Sequence, residues 1–262
     1  MKIGLNEREL EVAEGLRLRA LVAAQRPEAD VWIVNGAAVS EDVVLQAGDE
    51  VMLIERGAVP AAGELEAVMA ARHTPGVHAK MKGACVGIAG LGGLGSAVAV
   101  ALTRMGVGRL VLVDFDVVEP SNLNRQQYFV DQLGMSKAAA LRANLARINP
   151  YVAVEAHEAR IVPGNVEDFF GGTDVLVEAF DRADQKAMLL QHGGARPLVA
   201  ASGLAGHGSG ETIGVRKMGE RIYVVGDLQT GAAPGCGLMA PRVGIAAHMQ
   251  ANVVVQILLG EA

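Results

Sequence analysis

The chain has 262 residues, 51% of them hydrophobic, which excludes a mainly disordered polypeptide and leaves room for one large α/β domain beside a small one. Aromatics are only 3%, so a core must be built from Ala, Val, Leu, Ile and Met, and the 33 glycines are too scattered for a collagen-like protein. A net charge of −6 makes no electrostatic case for nucleic acid or a membrane surface, and two cysteines are too few for a disulfide framework or paired Cys-x-x-Cys zinc elements.

The first 59 residues hold six Lys/Arg against eleven acids, so nearly all the net negative charge sits there. They read as strand, turn, strand, helix, strand, strand. Residues 1–5 are a short strand, Asn6-Glu7 a turn, and residues 9–12 continue a hairpin. Leu16, Leu18, Leu21 and Val22 fall at roughly helical spacing before Pro27. An apolar run at 31–34 is closed by Asn35-Gly36, a strong hairpin signal. Ala47-Gly48-Asp49-Glu50 turns the chain into a strand at 51–54. This order predicts a small β-grasp (ubiquitin-like) domain over residues 1–59. Residues 60–82 are expected to be a linker, with Pro60 to Gly63 as its turn, and a helix at 64–72 presenting Leu65, Val68 and Met69 on one face.

Residues 83–262 alternate strand and helix. Strands are expected at 84–89, 110–113, 152–156, 175–178 and 198–201, and helices at 96–105, 136–148 and 183–192. That alternation predicts a doubly wound, Rossmann-like, mostly parallel sheet. Residues 213–216 and 221–225, split by Met218-Gly219-Glu220, read as a hairpin. The apolar stretch 243–259 is broken by His248, Gln250, Asn252 and Gln256, which favours a buried helix over a membrane span. Met1 runs into a strand-like segment with no signal-peptide core, so a cytoplasmic location is expected.

Gly90-Leu91-Gly92-Gly93-Leu94-Gly95 follows a strand and opens a helix, the arrangement that lets backbone N–H groups approach a phosphate. Asp114 ends the next strand nineteen residues after Gly95 and can accept from ribose hydroxyls. Both features suit an NAD enzyme as well as an ATP enzyme. Ser121-Asn122-Leu123-Asn124-Arg125-Gln126, followed by Lys137, sharpens the reading, because it puts an arginine and a lysine where a triphosphate would lie.

From about Lys80 onward these motifs, with Asp116 and the Met-Ala-Pro at Pro241, resemble the ThiF/MoeB/HesA family of ubiquitin-activating-like adenylyltransferases. Residues 1–59 resemble ThiS-type sulfur carriers, especially in Val34-Asn35-Gly36 and in 48–54. Such carriers end in a free Gly-Gly, whereas here Arg56-Gly57-Ala58-Val59-Pro60 continues the chain. The first domain is therefore not itself a substrate. It reads as an appendage or as an internal mimic guarding a carrier-docking groove.

The resemblance implies an ATP-dependent enzyme that adenylates the C-terminal glycine of a separate ThiS-like sulfur carrier, for thiamin thiazole synthesis with a sulfur donor. It implies Mg²⁺ and a homodimer. It assigns Gly90, Gly92, Gly93 and Asp114 to the nucleoside side and Ser121, Asn122, Asn124, Arg125 and Lys137 to the phosphates. Asp181 would position Mg²⁺ or the nucleotide, and Arg182 stands where the family often has Asn. Arg72 is the candidate for an arginine reaching into the partner's site. Many members carry an acceptor cysteine eight residues before the Met-Ala-Pro proline. Here that place is Ala233, and Cys236 in the following Gly-rich loop is the candidate acceptor thiol. His207 is a candidate to line the substrate groove. Without Cys-x-x-Cys pairs the chain should be zinc-free.

The chemistry agrees with these roles. A carboxylate is ionised at neutral pH and needs no general base to attack the α-phosphorus. It needs relief from charge repulsion, which Arg125, Lys137 and Mg²⁺ would supply. The alternatives are adenylation of another carboxylate (a molybdopterin carrier, a peptide or a modified tRNA), an NAD-dependent oxidoreductase, and a non-catalytic module that binds carriers or ATP.

Overall fold

The computed structural model describes residues 1–262 except Glu7 and Ala62. They form two compact units, residues 1–79 and 80–262. The first unit contains β1 (Lys2–Leu5), β2 (Arg8–Glu11), α1 (Leu18–Gln25), β3 (Val31–Val34), β4 (Ala37–Val39), β5 (Glu50–Ile54) and α2 (Leu65–Ala70). Its strand order is β2-β1-β5-β3-β4, with β1 and β5 parallel, as a β-grasp sheet requires. One sheet face buries Ile3, Val51 and Leu53 against Leu18, Leu21 and Val22 of α1.

Asn35 and Gly36 both have positive φ (51° and 80°), which makes the two-residue hairpin turn expected of Asn-Gly and adds β4 as a strand of its own. Of the expected Asn6-Glu7 turn, Glu7 lies outside the described residues. Asn6 has φ 47°, and its side chain bonds both backbone groups of Leu53.

The segment expected to be a linker and helix is packed rather than free. Helix α2 covers the second face of the small sheet, where Ala67, Val68 and Ala71 meet Ile33 and Met52. Its buried face therefore differs from the expected Leu65, Val68 and Met69, because close approach to the sheet selects the small side chains. A Cβ on Gly36 would lie 2.5 Å from the His73 carbonyl oxygen, so this turn is pressed against the chain that follows α2. Helix α3 (Val77–Lys82) leads on to the second unit and was not signalled by periodicity.

The second unit alternates β6 (Cys85–Ala89), α4 (Gly93–Arg104), β7 (Arg109–Asp114), α5 (Lys137–Ile148), β8 (Ala153–Glu158), α6 (Val166–Phe170), β9 (Val175–Glu178), α7 (Ala183–His192) and β10 (Leu198–Ala201). The hairpin β11 (Gly214–Met218) and β12 (Ile222–Gly226) and the long α8 (Ala240–Leu259) complete it. The sheet order is β11-β12-β10-β9-β6-β7-β8, all parallel except β11. Successive connections run in opposite directions from β6, so a crevice opens at the carboxyl ends of β6 and β9.

Helix α4 begins at Gly93, three residues before the sequence-based start, because the loop glycines themselves make its first turn. Helix α8 is long and apolar enough, by length and composition, to cross a bilayer. It packs along α4 and over β9, β10 and β12.

Candidate active site

The crevice is a cleft of about 500 Å³. Its floor is the glycine loop. A Cβ on Gly95 would fall 1.8 Å from the Gly90 oxygen, and one on Gly90 (φ 89°) would fall 2.9 Å from the Ala179 oxygen. Only glycine lets the loop and α4 approach the sheet this closely. The Asp114 carboxylate clamps the loop, accepting from Leu91 N at 2.6 Å and from Asp116 N at 2.8 Å. Burial pushes the Asp114 carboxyl above its ordinary range, opposed by those two N–H groups and by Lys137. Tyr128 closes the loop from behind, its hydroxyl donating to Leu91 O at 2.8 Å. Burial, then the charge of Asp114, raises that phenol far above its usual value.

Two cations face the floor. Arg125 lays its stem over Gly93, its Cγ 3.4 Å from where a Cβ would sit. Its guanidinium is steadied by Ser121 O at 3.1 Å and Asn124 Oδ1 at 2.7 Å. Lys137 opens α5 behind the N-cap Ser136 and is 6% exposed. Its Nζ lies 2.9 Å from Asp116 Oδ2. Asp181 and Arg182 line the wall after β9, and Arg182 is forked onto Asp184 at 3.0 and 2.8 Å.

The structure thus brings Gly90, Gly92, Gly93, Asp114, Arg125, Lys137, Asp181 and Arg182 to one cleft. It does not bring Ser121, Asn122 and Asn124 to the lining. Asn122 is buried and caps its own turn, its Oδ1 accepting from Glu119 N at 3.1 Å, and Asn124 is turned to Arg125. Ser121 and Asn124 touch the cleft through the Arg125 guanidinium. Arg72 follows α2 in the first unit and is exposed.

Gln126 stood in the motif without a role, and the motifs left other lining residues unannounced. Gln126 is buried beside Gly92, with Oε1 lacking a protein partner. Lys186 bonds both oxygens of the fully buried Glu178 at 3.1 Å and Ala201 O at 3.0 Å. Burial holds the Glu178 carboxyl above its usual range against the pull of Lys186. Phe115, Arg160 and Phe180 line the cleft too. The usable signal was positional, since residues just past the carboxyl ends of parallel strands line such crevices.

A second cavity of about 330 Å³ shares Ala205 and Thr230 with the first and is lined by His207, Cys236, Met239 and Arg242. Cys236 is half-buried and its backbone is paired with Ala233 in both directions. No cluster of three or more His, Cys, Asp or Glu able to hold a metal occurs among the described residues.

Fold and cleft together define a doubly wound α/β protein whose glycine loop and paired cations face one crevice, preceded by a β-grasp unit. The ThiF family profile matches residues 67–262 and the ThiS-like ubiquitin profile matches residues 1–57. The chain belongs to the ThiF family. It is 41% identical over 103 residues to the probable adenylyltransferase/sulfurtransferase MoeZ of Mycobacterium tuberculosis, covering 39% of this chain and 26% of that protein. It is 43% identical over 103 residues to the SAMP-activating enzyme E1 of Haloferax volcanii, covering 39% of this chain and 38% of the relative. The match thus spans between a quarter and two fifths of these curated relatives. Among solved structures, E. coli tRNA N6-threonylcarbamoyladenosine dehydratase TcdA in complex with AMP aligns with a TM-score of 0.69 and 21% identity, over 78% of this chain and 99% of that one. At that identity the likeness is one of fold.

Proposed function

We propose that this protein is an ATP-dependent adenylyltransferase that activates the C-terminal glycine carboxylate of a separate ThiS-like sulfur carrier. The observation that carries the reading is the convergence of Arg125 and Lys137 on the glycine loop in one cleft. A carboxylate oxygen attacks the α-phosphorus of ATP, the bond from that phosphorus to the bridging oxygen breaks, and pyrophosphate leaves with the electron pair. The attacking carboxylate is already ionised, so the protein's task is electrostatic. Backbone N–H groups of the loop and the two cations oppose the phosphate charge, while Asp114 faces the ribose.

Mg²⁺ is commonly held by one or two carboxylates together with substrate phosphates. Asp181, exposed on the cleft wall, fits that pattern without a three-carboxylate cage. When bound, the ion would neutralise charge developing on the leaving pyrophosphate. A sulfur nucleophile of the donor then attacks the acyl carbon of the adenylate and AMP leaves with the electron pair of the broken acyl–oxygen bond, with thiamin thiazole synthesis as the proposed setting, cytoplasmic and homodimeric. In that dimer Arg72 reaches the partner's nucleotide. Cys236 stands in the neighbouring cavity as the candidate acceptor thiol. The ThiS-like ubiquitin profile matched over residues 1–57 supports a carrier of that kind.

The test is ATP–pyrophosphate exchange with and without a ThiS carrier ending in Gly-Gly. Exchange that requires the carrier and collapses in Arg125→Ala is expected. Background exchange with every carrier, while ATP remains bound, would transfer the assignment to another carboxylate.

A further inference from the structure

Arg125 stands on an irregular loop, not on a helix or strand. Its guanidinium bonds to Ser121 O and Asn124 Oδ1, which lie on that same loop. Those bonds fix the side chain to the loop but not the loop to the glycine floor. The anchorage lies just past Arg125, where the backbone of Gln127 is gripped from both sides. Its N–H donates to Ser96 Oγ at 3.1 Å, and its carbonyl accepts from Asn144 Nδ2 at 3.0 Å. Ser96 is fully buried in α4 and donates its own proton to Gly92 O at 2.6 Å, so one hydroxyl joins the glycine loop to the Arg125 loop. Asn144 is buried in α5, the helix that Lys137 opens. Its amide pairs with that of Gln132. Gln132 Nε2 donates to Asn144 Oδ1 at 2.7 Å, and Asn144 Nδ2 donates to Gln132 Oε1 at 3.1 Å. Gln132 Oε1 also accepts from Phe129 N at 3.1 Å, which ties the far end of the loop to the same point.

The glycine loop, Arg125 and Lys137 belong to separate stretches of chain, and this buried hydrogen-bond set spans them all. Helices α4 and α5 pack against each other, so Gln127 is held between the helix that the glycine loop begins and the helix that Lys137 begins. We propose that Ser96 and Asn144 are positioning residues, which register Arg125 over the glycine loop and relative to Lys137 through the backbone of Gln127. This rests on the nucleotide reading of the cleft given above. Neither side chain touches substrate. Their effect is on preorganisation: a cation stabilises developing phosphate charge in proportion to how well it is placed beforehand. A buried donor or acceptor that loses its partner must find another, and here the loop shifts to provide one.

The test is a double-mutant cycle in the full chain, with Ser96→Ala and Asn144→Ala each made alone and together with Arg125→Ala. Carrier-dependent ATP–pyrophosphate exchange and calorimetric affinity for Mg-ATP are both read. Each single change should lower kcat by about 10- to 100-fold, the cost of misplacing a catalytic group by roughly 1 Å. In the Arg125→Ala background the same change should cost less than about threefold, because the group it places is gone. Asn149→Ala is the control for mere loosening. Asn149 is buried at the C-terminal end of α5 and donates to Thr103 O at 3.2 Å, tying the same two helices at their other ends. It should lower the melting temperature as Asn144→Ala does and leave kcat unchanged. Losses that add fully to that of Arg125→Ala, or an equal kcat loss in Asn149→Ala, would make Ser96 and Asn144 merely structural and overturn the proposal, as would unchanged kcat in both variants. If Asn144→Ala does not fold, Ser96→Ala, which deletes one hydroxyl, carries the same cycle. Wild type that binds Mg-ATP but exchanges with no carrier would overturn the carrier reading alone, and the cycle in ATP affinity still decides the positioning role. Wild type that does not bind Mg-ATP would remove the nucleotide reading, and this inference with it.

Discussion

Arg242→Ala should be among the damaging single truncations outside the glycine loop. Arg242 lies in the first turn of α8 and is 4% exposed. Its guanidinium donates to Gly208 O at 2.9 Å, Ser209 O at 2.6 Å, Thr212 Oγ1 at 3.0 Å and Asp227 Oδ2 at 2.7 Å. It thereby holds the loops after β10 and β12, which line both cavities, against α8. Gly203 and Gly226 show how tightly those loops interlock, since a Cβ on Gly226 would fall 1.8 Å from Ser202 O. Truncation leaves the Asp227 carboxylate, whose side chain is 11% exposed, without its cation. Breaking one side of such a buried pair costs about 3–5 kcal/mol. For a chain of this size that lowers Tm by roughly 6–20 °C. Urea and thermal unfolding, with and without ATP, measure it, and a cycle with Asp227→Asn should show a coupling of about 1–3 kcal/mol. A loss below about 1 kcal/mol would refute the assignment of Arg242 as the clamp.

Asp227 also predicts a pH dependence. Burial would raise its carboxyl, but hydrogen bonds from Thr230, Gln229 and Arg242 outweigh that and hold it at about 2, below the ordinary 3.8. The folded value is the lower one, so this stabilisation is complete above pH 3.8 and is lost as pH falls through about 2. It amounts to about 2 kcal/mol, and Asp227→Asn should flatten the acid limb of a stability-versus-pH profile. Lys137→Ala should lower pyrophosphate exchange by about 10²–10³ with folding retained; exchange within threefold of wild type would remove Lys137 from the phosphate site. Gly95→Ala forces a methyl into the Gly90 carbonyl and should cost about 1–3 kcal/mol while abolishing thermal protection by ATP, which a melting series with nucleotide would reveal. Cys236→Ala should leave exchange intact and block any thiol-linked carrier product seen on non-reducing gels; persistence of that product would clear Cys236 of the acceptor role.

The packing of α2 also governs how the β-grasp unit can be removed. A cut after residue 59 strips the sheet from α2 and exposes Ala67, Val68 and Ala71, whereas a cut after residue 79 follows the compact boundary.

What the sequence determined by itself was local. Val175–Glu178 and Leu198–Ala201 were legible because strands buried on both faces are uninterrupted apolar runs, and Ala183–His192 because nothing breaks the helix before Gly193. The Asn35-Gly36 turn and the glycine loop were legible because the backbone needs glycine there whatever surrounds it. The start of α4 was not, since glycines resemble a loop until a sheet lies close enough to need them. Nor was the use of Ala67 and Ala71 in place of Leu65 and Met69, which depends on how near α2 approaches β3 and β5. Tertiary structure alone joined Lys186 to Glu178 and Ala201, and set Arg160 on Phe115. Caps, periods and turns are interactions between near neighbours in the chain, whereas the crevice is assembled from the ends of separate strands, and its chemistry depends on which strands lie side by side.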